Sequence, residues 1–213
     1  MVKNLTSELI ERRLAEAGYS GQVNVVQQAT FIELMAKWNR KINLTALPLD
    51  PIGDEAVDRL IVEPVVASQF IEDQDIRIID LGTGGGSPAI PFRIEVQASS
   101  MRMVESRSKK CAFLREATRT LDLKGTSVEE SRFELLPGRE DLKHSADLMT
   151  IRAVRLDLEL MELIRFILVP GGRIFRFASH SESQVPDGLG LDILSIHQLV
   201  PSTLSELQIL SLG

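Results

Sequence analysis

Apolar positions in the first third of the chain recur at helical spacing. Leu5, Leu9, Ile10 and Leu14 fall on one helix face, with Gly18 as a stop. Val25, Ala29, Ile32, Met35 and Trp38 mark a second helix, and Val57, Leu60 and Ile61 a third that starts near Asp54. Pro64 falls inside this third pattern. Its missing N–H and its ring cost a helix interior about 3 kcal/mol, which predicts a kink or a restart there.

Beyond residue 75 the pattern changes to short apolar runs alternating with helices. Ile76 to Leu81, Met101 to Glu105, Thr126 to Glu129, Asp147 to Ile151 and Arg173 to Phe177 read as strands. A short helix follows the first, and longer ones cover about 107–122 and 156–168. Strands and helices in alternation form βαβ units, hence an α/β fold with a parallel sheet and helices on both faces. Ser181 to Gly190 is polar, with Pro186, Gly188 and Gly190, too little for a crossover helix; 191–197 and 206–211 are expected to close the sheet as a hairpin-like pair. The expected organisation is a helical extension over 1–74 and a sheet domain over 75–213.

Composition changes this picture little. Of 213 residues, 44% are hydrophobic and 25% charged, which describes a globular chain rather than a disordered one. The one cysteine, Cys111, excludes an intrachain disulfide framework. No apolar run approaches the ~18 residues that span a bilayer, and the first residues carry charges where a signal peptide needs an apolar core. A cytoplasmic monomer with no membrane partner is the expectation. The net charge of −6 lacks the basic excess of a dedicated nucleic-acid binder, although a local basic face can sit on an acidic body.

The most informative stretch runs from Ile78 to Pro88, where a strand enters glycines at 82, 84 and 86 and then a helix whose first turn holds Pro88. Glycines let backbone approach a ligand closely, and a helix N-terminus offers unpaired N–H groups. A dinucleotide loop wants its third glycine where Ser87 stands. The G-x-G-x-G spacing with Asp80 ahead of it is the form typical of S-adenosylmethionine loops, and it weighs against a nicotinamide dinucleotide. Glu105 ends the second strand, 21 residues after Gly84, where an acid accepts both ribose hydroxyls. The alternative reading is a tight strand–helix turn beside a solvated strand end.

With these residues in place, the flanking motifs resemble those of the bacterial 16S ribosomal RNA guanine-N7 methyltransferases, the glucose-inhibited division protein B family. The W-N-x-x-x-N-L-T motif is matched by Trp38 to Thr45, and the D-x-G-T-G-x-G-x-P-x-I-P loop by Asp80 to Pro91. The acid-S-x-x-K-basic-x-x-F-L segment is matched by Glu105-Ser106, Lys109-Lys110 and Phe113-Leu114. Arg132-Phe133-Glu134 matches R-x-E, and Asp147 with Arg152-Ala153 matches D-x-x-x-x-R-A. The resemblance implies a Rossmann-like class I methyltransferase sheet, S-adenosylmethionine as cofactor, and ribosomal RNA or the small ribosomal subunit as partner. It further implies that Gly82 and Ser87, with Gly84 between them, line the methionine side, that Glu105 holds the ribose, and that Phe133 and Glu134 flank the adenine. Arg152 would then stand by the transferred methyl group or the RNA, as the catalytic residue. The chain departs from the family at Ser87, usually aromatic or large and aliphatic, at Ala89, usually glycine, and after the fifth strand, where the family usually carries K-G and this chain reads Arg176-Phe177-Ala178-Ser179.

Lys37, Arg40 and Lys41 lie beside Trp38, and Arg107, Lys109, Lys110, Arg115 and Arg119 share one predicted helix. These are either an RNA-facing strip or a solvated face. Trp38 reads as core before it reads as a stacking platform. Asn39 and Asn43 suit a cap or turn as well as a substrate contact. His144, His180 and His197 are isolated, so no metal site is expected. Two other readings stay open: a methyltransferase of the same fold with another substrate, and a non-catalytic S-adenosylmethionine-binding factor associated with the ribosome.

Overall fold

The structure, a computed structural model, describes residues 4–96, 100–179 and 184–213. Helix α1 (Leu5–Glu16) starts where Asn4 accepts the Ser7 N–H, and α2 (Val25–Asn39) where Asn24 does the same for Gln27. The third helical stretch is broken as Pro64 predicts. It begins as α3 (Asp54–Val57), loosens into one π-helical turn (Asp58–Val62), and restarts as α4 (Glu63–Ser68) with Pro64 in its first turn, where no N–H is needed.

The sheet holds β1 (Arg77–Leu81), β2 (Ser100–Glu105), β3 (Thr126–Glu130), β4 (Ala146–Arg152), β5 (Leu168–Ser179), β6 (Leu191–Val200) and β7 (Ser205–Leu212). Their spatial order is β3-β2-β1-β4-β5-β7-β6. The first five strands pair in parallel, and β7 enters antiparallel between β5 and β6, so the tail forms the expected hairpin. Pro170 and Gly171 lie inside β5 rather than before it, and the β4–β5 register shifts between Ala146 and Leu148.

Alternation along β1 separates two cores. Ile78 joins the cluster of Ile10, Phe31, Ile32 and Met35 with α5 (Ala89–Glu95) and α6 (Ser108–Thr120), whereas Ile79 and Leu81 join α7 (Leu158–Ile167) on the opposite face. The N-terminal helices therefore share a core with the sheet, and α1 and α2 have no separate one. Leu5 does not follow the face predicted for it. It is 85% exposed in the first turn of α1, while Ile10 and Leu14 are buried. Order reverses between β1 and β4, and the carboxyl ends of the strands around that point are where open α/β sheets bind ligands.

Candidate active site

Strand β1 runs straight into the glycine loop. The Gly82 and Thr83 N–H groups donate to the Val104 carbonyl of β2, and Gly86 closes a turn onto Thr83. Gly82, Gly84 and Gly86 have φ of +71°, +59° and +92°, conformations that a side chain makes costly. A Cβ at Gly82 would stand 3.1 Å from Val154 Cγ2 and 3.5 Å from the Phe133 ring; at Gly85 one would stand 3.0 Å from the Leu44 carbonyl oxygen. The loop accordingly presents bare backbone to a cleft of about 490 Å³, whose walls include Arg59 and Leu60 of the π turn, Leu44 to Leu47, Lys110, Arg152 and Ala153.

The structure brings Gly82, Gly84, Ser87 and Arg152 together in this cleft. Glu105 is joined to it from β2: one carboxylate oxygen accepts the Gly84 N–H at 2.9 Å, and the other accepts the Arg107 N–H at 2.8 Å. Arg152 leans across from the end of β4. Its Nη1 donates to the Arg59 carbonyl at 2.6 Å and to Ser87 Oγ at 3.3 Å, and its Nη2 pairs with Glu63 at 2.8 Å. Its guanidinium stacks 4.6 Å over Phe177, and burial pushes its pKa down while Glu63 opposes that. Ser87 Oγ donates to the Leu60 carbonyl at 2.9 Å. Phe133 meets Gly82 from the side of a second cleft, lined with Val154 and Arg155. The Glu134 side chain lies outside the described residues.

The local motif marks Asp80, but not its environment. Asp80 is completely buried, and desolvation pushes its carboxyl up to about 6 although the hydrogen bond from Thr150 opposes this. Thr150 Oγ1 donates to Oδ1, while Oδ2 has no partner among the described residues. Glu63 and Arg59 reach the cleft from a helix, and nothing in their spacing from the loop marks them. Asn39 takes the capping role: its Oδ1 accepts the Leu44 and Thr45 N–H groups at 2.8 and 3.1 Å, and its Nδ2 donates to the Thr45 carbonyl. That clamp holds the cleft wall in place, and Asn43 is exposed. Trp38 packs edge-on against Phe113, as core. All five of Arg40, Arg107, Lys109, Arg115 and Arg119 of the proposed basic strip are exposed, and Arg40 and Arg115 are paired at the surface with Asp50 and Glu130. Cys111 is buried with its Sγ on the Glu105 carbonyl.

A five-strand parallel core with an antiparallel seventh strand inserted beside the fifth, and a glycine loop joined to an acid on β2, together define a class I methyltransferase domain. Solved structures agree on the fold: a SAM-dependent methyltransferase from Aquifex aeolicus superposes with a TM-score of 0.58 at 14% identity, over 71% of this chain and 90% of its own. The family described as rRNA small subunit methyltransferase G matches residues 24–186. A Ribosomal RNA small subunit methyltransferase G of Xanthomonas oryzae is 33% identical over 79% of this chain and 76% of its own length. One from Nitratidesulfovibrio vulgaris is 30% identical over 85% and 84%. The chain belongs to this family, and its cofactor is S-adenosylmethionine. The cleft fits that molecule. An unpartnered, buried carboxylate oxygen at the foot of the loop suits a ligand with positive charge, and S-adenosylmethionine carries one on its sulfonium and another on its ammonium.

Proposed function

We propose that this protein methylates N7 of a guanine in small-subunit ribosomal RNA, acting as a monomer in the cytoplasm. The observation that carries the reading is the meeting of Gly82, Gly84, Ser87 and Arg152 in one cleft, with the Glu105 carboxylate tied to the loop at Gly84. Gly82 and Ser87 hold the methionine side. Glu105 keeps lone pairs beyond its two backbone bonds for the ribose hydroxyls. Phe133 and Glu134 flank the adenine.

When bound, S-adenosylmethionine supplies an electrophilic methyl group on sulfur. Guanine N7 carries a lone pair in the neutral base, so no residue of the cleft has to take a proton. The work of the protein is to hold donor and acceptor in line. Arg152 spends three of its five N–H bonds on Arg59, Ser87 and Glu63. The two remaining donors suit guanine O6 or a phosphate oxygen. The exposed Arg107, Lys109 and Arg119 supply local positive charge for the RNA backbone despite the acidic total.

The test uses small-subunit RNA from cells that lack the endogenous enzyme, incubated with the protein and isotope-labelled S-adenosylmethionine. Labelled 7-methylguanosine in the digest is the expected result. No label, from a preparation that binds the cofactor, would instead favour a same-fold enzyme with another substrate or a non-catalytic ribosome-associated factor.

A further inference from the structure

Pro64 does more than interrupt a helix. It has no N–H to give to the carbonyl of Leu60 four residues back or of Arg59 five back. The preceding N–H, that of Glu63, is given to the Asp58 carbonyl in π register. Two carbonyls are thereby left open on the face of the turn that walls the cleft, and each is taken by a site residue: Arg59 by Arg152, and Leu60 by Ser87. Glu63, the first residue of α4 after that turn, is 1% exposed. One of its oxygens accepts Arg152 Nη2 and the other accepts the Ser205 hydroxyl at the start of β7. The π turn, α4, the glycine loop and β4 thus meet at a single guanidinium, with Phe177 beneath it and the C-terminal hairpin tied in through Glu63.

We propose that Glu63 is a positioning residue: with the Arg59 carbonyl, and with Ser87 seated on the Leu60 carbonyl, it fixes the plane of the Arg152 guanidinium so that its free donors face the acceptor base. The proposal rests on the methyltransferase reading given above. One charge-assisted bond joins Arg152 Nη2 to a Glu63 oxygen whose carboxylate is itself held by Ser205, and removing the charge weakens that buried bond. Arg152 held by the Arg59 carbonyl, the Ser87 hydroxyl and the Phe177 ring would keep its place but not its orientation. Ser87 belongs to the same seat, since a small hydroxyl is what reaches both Leu60 and Arg152.

The test uses the full chain labelled with nitrogen-15 arginine, its Arg152 side-chain signals assigned with Arg152→Lys. In the wild type these N–H signals are expected to be separate and slow to exchange, and in Glu63→Gln to merge as the guanidinium rotates. The cofactor dissociation constant of Glu63→Gln should stay within threefold, while methyl transfer at saturating cofactor and RNA falls at least tenfold. Combining Glu63→Gln with Arg152→Lys should be no slower than the slower single variant. Arg152 signals unchanged by Glu63→Gln would overturn the proposal, as would an unchanged rate or multiplying effects in the double variant. If Glu63→Gln does not fold, Glu63→Asp, which keeps the charge and shortens the reach, is expected to give partial mobility and a partial rate loss; wild-type values for both would overturn the proposal. A wild type that binds cofactor but methylates no RNA would refute the functional reading, and the arginine signals would still decide the positioning.

Discussion

Asp80→Asn isolates the one carboxylate at the foot of the loop, and the wild-type geometry sets the size of its effect. The side chain is wholly buried, and one oxygen has no partner, so its carboxyl is pushed up to about 6 from an ordinary 3.8. At 1.36 kcal/mol per pH unit, the gap corresponds to about 3 kcal/mol. The sign follows from proton counting. Between about pH 4 and 6 the native state holds a proton that the unfolded chain has released, so raising the pH through that window destabilises the ligand-free protein. Asparagine keeps the Thr150 bond and does not titrate. The difference in unfolding free energy, variant minus wild type, should therefore grow by about 3 kcal/mol between pH 4 and pH 7 and then level off, as read from urea unfolding curves. Other carboxylates titrate in both proteins and cancel. Adding S-adenosylmethionine should reverse the ranking, because a cation near Asp80 repays its ionisation in the wild type alone. A stability difference that does not vary with pH, or equal cofactor affinity in the two proteins, would refute the argument.

Three further outcomes follow from the geometry. Gly86→Ala combines a φ of +92° with a Cβ that would stand 2.9 Å from Ile90 Cδ1 and 3.2 Å from Leu114 Cδ2; a loss of about 2–4 kcal/mol is expected in urea unfolding. Glu105→Gln offers one acceptor oxygen where Gly84 and Arg107 use two, so calorimetry should show cofactor binding at least tenfold weaker, with a stability loss of about 1–3 kcal/mol. Arg77 holds the Asp147 carboxyl below its usual range. The stabilisation from that pair is full above the ordinary aspartate value and is lost as the pH falls through the lower folded one; Asp147→Asn should flatten that acid limb of the unfolding curve.

Strands β1 to β5, the glycine loop and the final hairpin were legible because each is written locally, as apolar runs of strand length and glycines at turns. The break at Pro64 was legible for the same reason, but the π register and the two carbonyls it opens depend on packing beyond that helix. The partners of Arg152 were not readable either. Glu63 lies 89 residues away, on a helix whose register against the sheet no local motif encodes. Asn39 illustrates a choice left open by spacing and settled by contact, since its amide is consumed in clamping Leu44 and Thr45. The basic strip was readable only as composition; the partners of Arg40 and Arg115, Asp50 and Glu130, are carboxylates that no spacing in the strip itself marks.

The site assignment itself is tested most directly by a crystal structure of the full chain with S-adenosylhomocysteine. Its ribose hydroxyls are expected on Glu105, its adenine beside Phe133 and Glu134, and its amino-acid end toward Gly82 and Ser87. A ligand ordered in another cleft, such as the one bounded by Arg155, Arg176 and Pro186, would contradict it.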